Sequence, residues 1–169
     1  MRLIRGSTHM IALGWVLLLG AMFWFFFDWS EREAHPNRNL KASGSAQIVL
    51  ARSRDGHYYA DGEINGRAVK FMLDTGATQI ALPRALASDL GLPMGTSITL
   101  QTAAGLAAGY AVRLASVRVG GIEMTDLGAV VAEGMREPTV LLGMNFLRHL
   151  EMIQRGDQLT LRPLAAGGG

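Results

Sequence analysis

Residues 10–27, MIALGWVLLLGAMFWFFF, are eighteen positions without a charge, and they divide this chain of 169 residues into two unlike parts. As a helix rising about 1.5 Å per residue the run extends roughly 27 Å, near the thickness of a bilayer's hydrocarbon core. All three tryptophans (Trp15, Trp24, Trp29) and four of the six phenylalanines lie in or beside it. The aromatics crowd its C-terminal end, where rings favour the headgroup layer. A cleaved signal peptide is the rival. Against it, the stretch exceeds the usual apolar region of about 7–15 residues, and Ser30-Glu31-Arg32-Glu33 offers no small-x-small cleavage site. The expectation is a retained single-pass anchor over residues 10–29, behind a flank of residues 1–9. Arg2 and Arg5 precede the run while Arg32, Arg38 and Lys41 follow it, so charge leaves the orientation open.

Residues 30–45 are polar, with Pro36, two asparagines and Ser43-Gly44-Ser45, a composition that reads as a flexible linker. The folded domain is expected over residues 46–164, and residues 165–169, Ala-Ala-Gly-Gly-Gly, read as a disordered tail. With no cysteine, disulfide scaffolds, thiolate zinc sites and cysteine nucleophiles are excluded. A net charge of +2, with the basic residues scattered singly, gives no footprint for nucleic acid.

The folded part reads as short strands and tight turns. Asn65-Gly66 is a strong hairpin signal, because both central residues of a type I′ turn need positive φ. It joins candidate strands 59–64 and 68–73. Gly120-Gly121 joins 112–119, where apolar and polar residues alternate over much of the run, to 122–125. Further strand candidates are 48–52, 97–102, 128–131, 140–142 and 158–162. Two stretches look helical: 84–90, begun by Pro83 and ended by Gly91, and 144–150 after Gly143. The sum is a mostly-β domain, a sandwich or barrel.

The chemistry concentrates at Asp74. The apolar run 69–73 leads directly into Asp74-Thr75-Gly76-Ala77-Thr78, which holds a carboxylate on a tight turn at a strand end. An Asp-Thr-Gly tripeptide arises by composition in roughly one chain in thirty of this length, so alone it decides little. Its context carries more: a flap-like stretch rich in Ala and Gly follows, then Leu141-Leu142-Gly143 and a short helix. This combination resembles the retropepsin-like (clan AA) aspartic proteases, and more narrowly their membrane-anchored, single-domain bacterial branch. Segments like Gly62-Glu63-Ile64-Asn65-Gly66, Gln101-Thr102-Ala103-Ala104-Gly105 and Leu141-Leu142-Gly143-Met144-Asn145-Phe146-Leu147 recur there in this order. One departure stands out: the branch usually carries Thr-Ala-Asn-Gly in the flap turn, where this chain has Thr102-Ala103-Ala104-Gly105.

The resemblance implies a closed acid-protease barrel with one or two short helices, preceded by the transmembrane helix. It implies an endopeptidase needing two carboxylates that share one proton, one activating water while the other polarises the scissile carbonyl. This chain has a single Asp-Thr-Gly. Residues 46–164 are too short for two lobes, so the second aspartate is expected from a second copy in a C₂ homodimer. Asp74 is then catalytic. Thr75, Gly76, Ala77 and Thr78 support its loop, with Leu141, Leu142 and Gly143 packed beneath it. Thr102, Ala103, Ala104 and Gly105 form the flap over a peptide or protein substrate, and Ile80, Leu82 and the flap alanines line apolar subsites. No cofactor or metal is expected: His9, His35, His57 and His149 are isolated and lack ligand spacing. The location implied is the bacterial inner membrane, with the protease domain in the periplasm. The alternative is a catalytically silent peptide-binding or dimerisation module of the same fold.

Overall fold

The computed structural model describes residues 5–34, 36–37, 47–102 and 105–164. The chain divides into two compact units, one ending at His35 and the other beginning at Pro36. The first is a single helix, α1 (Arg5–Ala34), in which the 21 residues Met10–Ser30 have the length and composition to cross a membrane. Its apolar side chains lie on every side rather than along one stripe. A helix immersed in hydrocarbon has that distribution; one lying on an interface does not.

The second unit grows from hairpins written locally. Between β2 (Tyr59–Ile64) and β3 (Arg67–Leu73), Asn65 and Gly66 take φ of 51° and 76°, the two positive values a type I′ turn demands. Preceding them is β1 (Ile48–Ala51); following them are β4 (Ile80–Pro83), α2 (Arg84–Asp89) and the hairpin of β5 (Ser97–Thr102) with β6 (Gly105–Val119). Gly120, at φ 54°, turns β6 into β7 (Ile122–Ala132). The chain ends with β8 (Thr139–Leu142), α3 (Met144–Leu147), β9 (Leu150–Arg155) and β10 (Gln158–Pro163).

The main sheet runs β2-β3-β8-β4-β7-β6-β5, and β2 also pairs with β6. That pairing closes β2, β3, β8, β4, β7 and β6 into a barrel and leaves β5 outside it, paired among the described residues to β6 alone. β3–β8 and β4–β7 are parallel; the other pairs are antiparallel. A second sheet, β1-β10-β9, contributes Leu50 and Leu161 to the same core as Phe71, Ile80, Leu82, Leu114 and Phe146. The fold is the mostly-β closed barrel expected.

Several elements differ from the sequence expectation for identifiable reasons. Candidates 122–125 and 128–131 form one strand, β7, with Asp126 at φ 59° where they join. β4 was not anticipated: all of its residues are buried, so no apolar–polar alternation marks it. The helix expected over 144–150 stops at Leu147, and Leu150 opens β9, whose sequence LEMIQR fits either period. Within the expected linker 30–45, Asn37 is buried against β1 and β2.

Candidate active site

β3 is the element that delivers Asp74. The Leu73 N–H donates to the Tyr58 carbonyl (2.9 Å), and the Asp74 N–H donates to the Leu142 carbonyl (3.2 Å). The second bond extends the parallel β3–β8 ladder beyond the Leu73–Leu142 pair. The chain then turns back on itself. The Ala77 N–H reaches the Asp74 carbonyl (3.3 Å), and the Gly76 N–H donates to Asp74 Oδ1 (2.8 Å). A Cβ on Gly76 would lie 3.2 Å from that same oxygen, so glycine keeps the turn tight around the carboxylate. Asp74 is half-buried, whereas Thr75, Gly76 and Thr78 are exposed. Among the described residues Asp74 Oδ2 accepts no hydrogen bond.

The far side of the loop is held by the first turn of α3. The Met144 N–H donates to the Ala77 carbonyl (2.8 Å) and the Asn145 N–H to the Thr78 carbonyl (3.1 Å). The Asn145 side chain completes the clamp: Oδ1 accepts from the Ile80 N–H (3.0 Å), and Nδ2 donates to the Gly128 carbonyl (2.7 Å). Gly143 passes so close beneath the loop that a Cβ there would sit 2.3 Å from the Gln79 carbonyl oxygen and 2.8 Å from that of Ala77. Leu142 and Gly143 are buried and Leu141 is half-buried. The structure thus brings Asp74, Gly76, Ala77 and Thr78 together with Leu142 and Gly143, chiefly through backbone atoms.

Thr102 and Gly105 pair across the end of the β5–β6 hairpin, where the Thr102 hydroxyl donates to the Gly105 carbonyl (2.8 Å) and Gly105 takes φ 110°. Ala103 and Ala104 lie outside the described residues. Leu106, next to the turn, is 78% exposed.

One expectation is corrected. Ile80 and Leu82 cannot line subsites, because both are fully buried within β4. Their apolar character serves the barrel core. The half-exposed apolar pair in register beside the loop is Met72 and Leu141, on the face of β3 and β8 opposite buried Phe71, Val140 and Leu142. Asn145 was likewise given no role in advance. Its only signal is an amide directly after Gly143-Met144, in a stretch otherwise apolar.

A second carboxylate loop lies at the start of β2. Asp55 accepts from the His57 N–H (3.0 Å) through Oδ1 and from the Tyr59 hydroxyl (2.7 Å) through Oδ2. Partial burial pushes the Asp55 carboxyl up, but those bonds and the nearby His57 hold it below its ordinary value. Burial, then the bond to Asp55, raises the Tyr59 hydroxyl to about 12. Lys70 sits 4.3 Å over the Tyr59 ring. This arrangement is self-satisfied and resembles a structural corner more than a reactive one.

Residues 60–149 match the family described as "gag-polyprotein putative aspartyl protease". An uncharacterised Sinorhizobium protein encoded 5′ of cobV is 35% identical over 125 residues, covering 72% of this chain and 54% of that protein. An uncharacterised protein of Rickettsia prowazekii (strain Madrid E) is 35% identical over 108 residues, covering 62% of this chain and 46% of its own length. This chain therefore spans about half the length of the curated relatives it matches. Among solved structures, a retropepsin-like aspartic protease from Rickettsia conorii superposes with a TM-score of 0.60 at 35% identity, covering 68% of this chain and 89% of that one. The barrel, the Asp74 turn at the end of β3 and a family match over more than half the sequence agree, and this chain belongs to the retropepsin-like aspartic protease family.

Proposed function

We propose that this chain is a membrane-anchored aspartic endopeptidase that works as a homodimer, with Asp74 from each copy forming the catalytic dyad. The observation that carries the reading is the state of the Asp74 carboxylate. Its Oδ1 is fixed by the Gly76 amide, while Oδ2 takes no hydrogen bond among the described residues, and the loop that bears it is clamped by α3. Such a group is oriented and keeps one oxygen accessible. A second Asp74 across a two-fold axis can then approach it: two carboxylates a few ångströms apart hold one proton between them. The ionised member accepts a proton from water, and the protonated member donates to the scissile carbonyl as the water attacks.

In this reading exposed Thr75 bonds across the dyad, the β5–β6 hairpin closes over an extended peptide, and Met72 and Leu141 meet its apolar side chains. α1 holds the enzyme in the bacterial inner membrane with the catalytic unit in the periplasm. Confinement to a plane raises the effective concentration of copies and favours the dimer.

The test is peptide cleavage by the full chain in bilayers at pH 4–7, compared with Asp74→Asn. Cleavage lost in the variant, together with a dimer by crosslinking, is the expected result. Equal turnover by both proteins would remove Asp74 from catalysis, and peptide binding without cleavage would identify the silent module suggested by Ala104 in the flap turn.

A further inference from the structure

Asn37 lies three residues after the end of α1 and is 9% exposed. Its side chain makes three hydrogen bonds of 2.8 Å. Nδ2 donates to the carbonyls of Ala51 and Tyr59, and Oδ1 accepts from the Ala51 N–H. β1 is an edge strand of the β1-β10-β9 sheet, and the neighbouring Arg52 N–H faces inward to the Asp157 carbonyl (2.7 Å). Both backbone groups of Ala51 therefore point to the open edge. Asparagine carries a donor and an acceptor in one planar amide, so it pairs with that edge as a peptide unit of another strand would. Its second donor bond crosses to the first residue of β2, which belongs to the other sheet. One side chain thereby ties the end of β1 to the start of β2.

The tie lies one residue from the support of the Asp74 loop. Tyr58 precedes Tyr59, and the Tyr58 carbonyl accepts the Leu73 N–H immediately before Asp74. We infer that Asn37 is a positioning residue for the Asp74 loop, acting through Tyr59, Tyr58 and Leu73, so that this residue is a working part of the catalytic unit. Without Asn37, the Ala51 amide and carbonyl and the Tyr59 carbonyl each lose this hydrogen bond, and the β1–β2 connection is free to shift. The consequence for turnover rests on the function proposed above; the structural tie does not.

Amide hydrogen exchange on the full chain in detergent separates the two. In Asn37→Ala the Ala51 and Leu73 amides should exchange about tenfold faster or more, while the Ile80 amide, held by Asn145 on the other side of the loop, keeps its protection. Turnover should fall about tenfold in kcat with little change in KM, as expected for misplacement rather than lost binding. Unchanged exchange at Ala51 and Leu73, or an equal rise at Ile80, overturns the inference, the latter because it signals general destabilisation. Should Asn37→Ala fail to fold, Asn37→Asp keeps the acceptor for Ala51 and loses both donor bonds. Leu73 should then lose protection while Ala51 retains it, and wild-type exchange at both would refute the tie. An inactive wild-type chain sinks the proposed function but leaves the exchange result standing.

Discussion

Asp55 and Asp74 each accept a hydrogen bond from the amide two residues ahead, at 3.0 Å from His57 and 2.8 Å from Gly76. The same local turn then leads to different ends. The other oxygen of Asp55 is taken by the Tyr59 hydroxyl at 2.7 Å, within the same strand and loop. Asp74 finds no such partner among the described residues. Instead its loop is gripped from behind by β8 and α3 through Leu142, Met144 and Asn145. A carboxylate satisfied by its own neighbours stabilises a corner. One whose loop is held from behind and whose second oxygen stays accessible is open to a group from elsewhere.

The most direct test of this contrast neutralises each carboxylate in turn. Asp74→Asn should lower peptide cleavage by about 10²- to 10⁴-fold, the usual scale for losing an acid–base group, whereas Asp55→Asn should stay within a few-fold of wild type. Comparable losses in both variants, measured as kcat/KM, would erase the distinction.

The grip behind Asp74 gives the next largest effect. Gly143→Ala forces a Cβ to 2.3 Å from the Gln79 carbonyl oxygen, a backbone atom that cannot swing away, and should cost about 3 kcal/mol or prevent folding. Gly76→Ala, with 3.2 Å to Asp74 Oδ1, should be much milder in stability, its effect falling on the carboxylate's position. Urea denaturation of the two variants checks the order.

Asn145→Ala removes these partners from the Ile80 amide, in a buried strand, and from the carbonyl of half-buried Gly128, and should cost about 2 kcal/mol in the same measurement. A value near zero would mean that the α3 backbone alone holds the loop.

The smallest effect belongs to the Asp55 corner. Its carboxyl is held below the ordinary value of 3.8, so its contribution to stability is complete above that pH and disappears as pH falls through the lower folded value. Tyr59→Phe removes one bond that keeps it low. The variant should be less stable by about 0.5 kcal/mol at pH 7, and the gap should close below pH of about 4, as followed by thermal melts across that range.

Legibility in the sequence followed the range of the interactions. The Asn65-Gly66 turn depends on the φ preferences of two adjacent residues, and it forms where the sequence puts it. The Asp74 turn is equally local, since the Gly76 amide meets Oδ1 only two residues away. β4 was hidden because a strand buried on both faces shows no alternation, and the same uniform apolarity made Ile80 and Leu82 look like pocket walls. Asn145 and Asn37 were hidden for a different reason. Each amide binds backbone groups many residues away, and a polar side chain in isolation does not reveal which distant peptide groups it will meet.

Contiguous residues were enough for the uncharged stretch 10–27, the hairpins and the strand-end aspartate, because helix hydropathy, turn φ values and the Asp-Thr-Gly geometry are local properties. Only the tertiary structure decided that β2 closes on β6, that β8 lies parallel to β3 beneath Asp74, that Gly143 has no room for a side chain, and that Asn37 ties β1 to β2. Those features depend on which distant backbones come within hydrogen-bonding or contact distance. Close packing around one shared core sets that proximity, and no short stretch of residues encodes it.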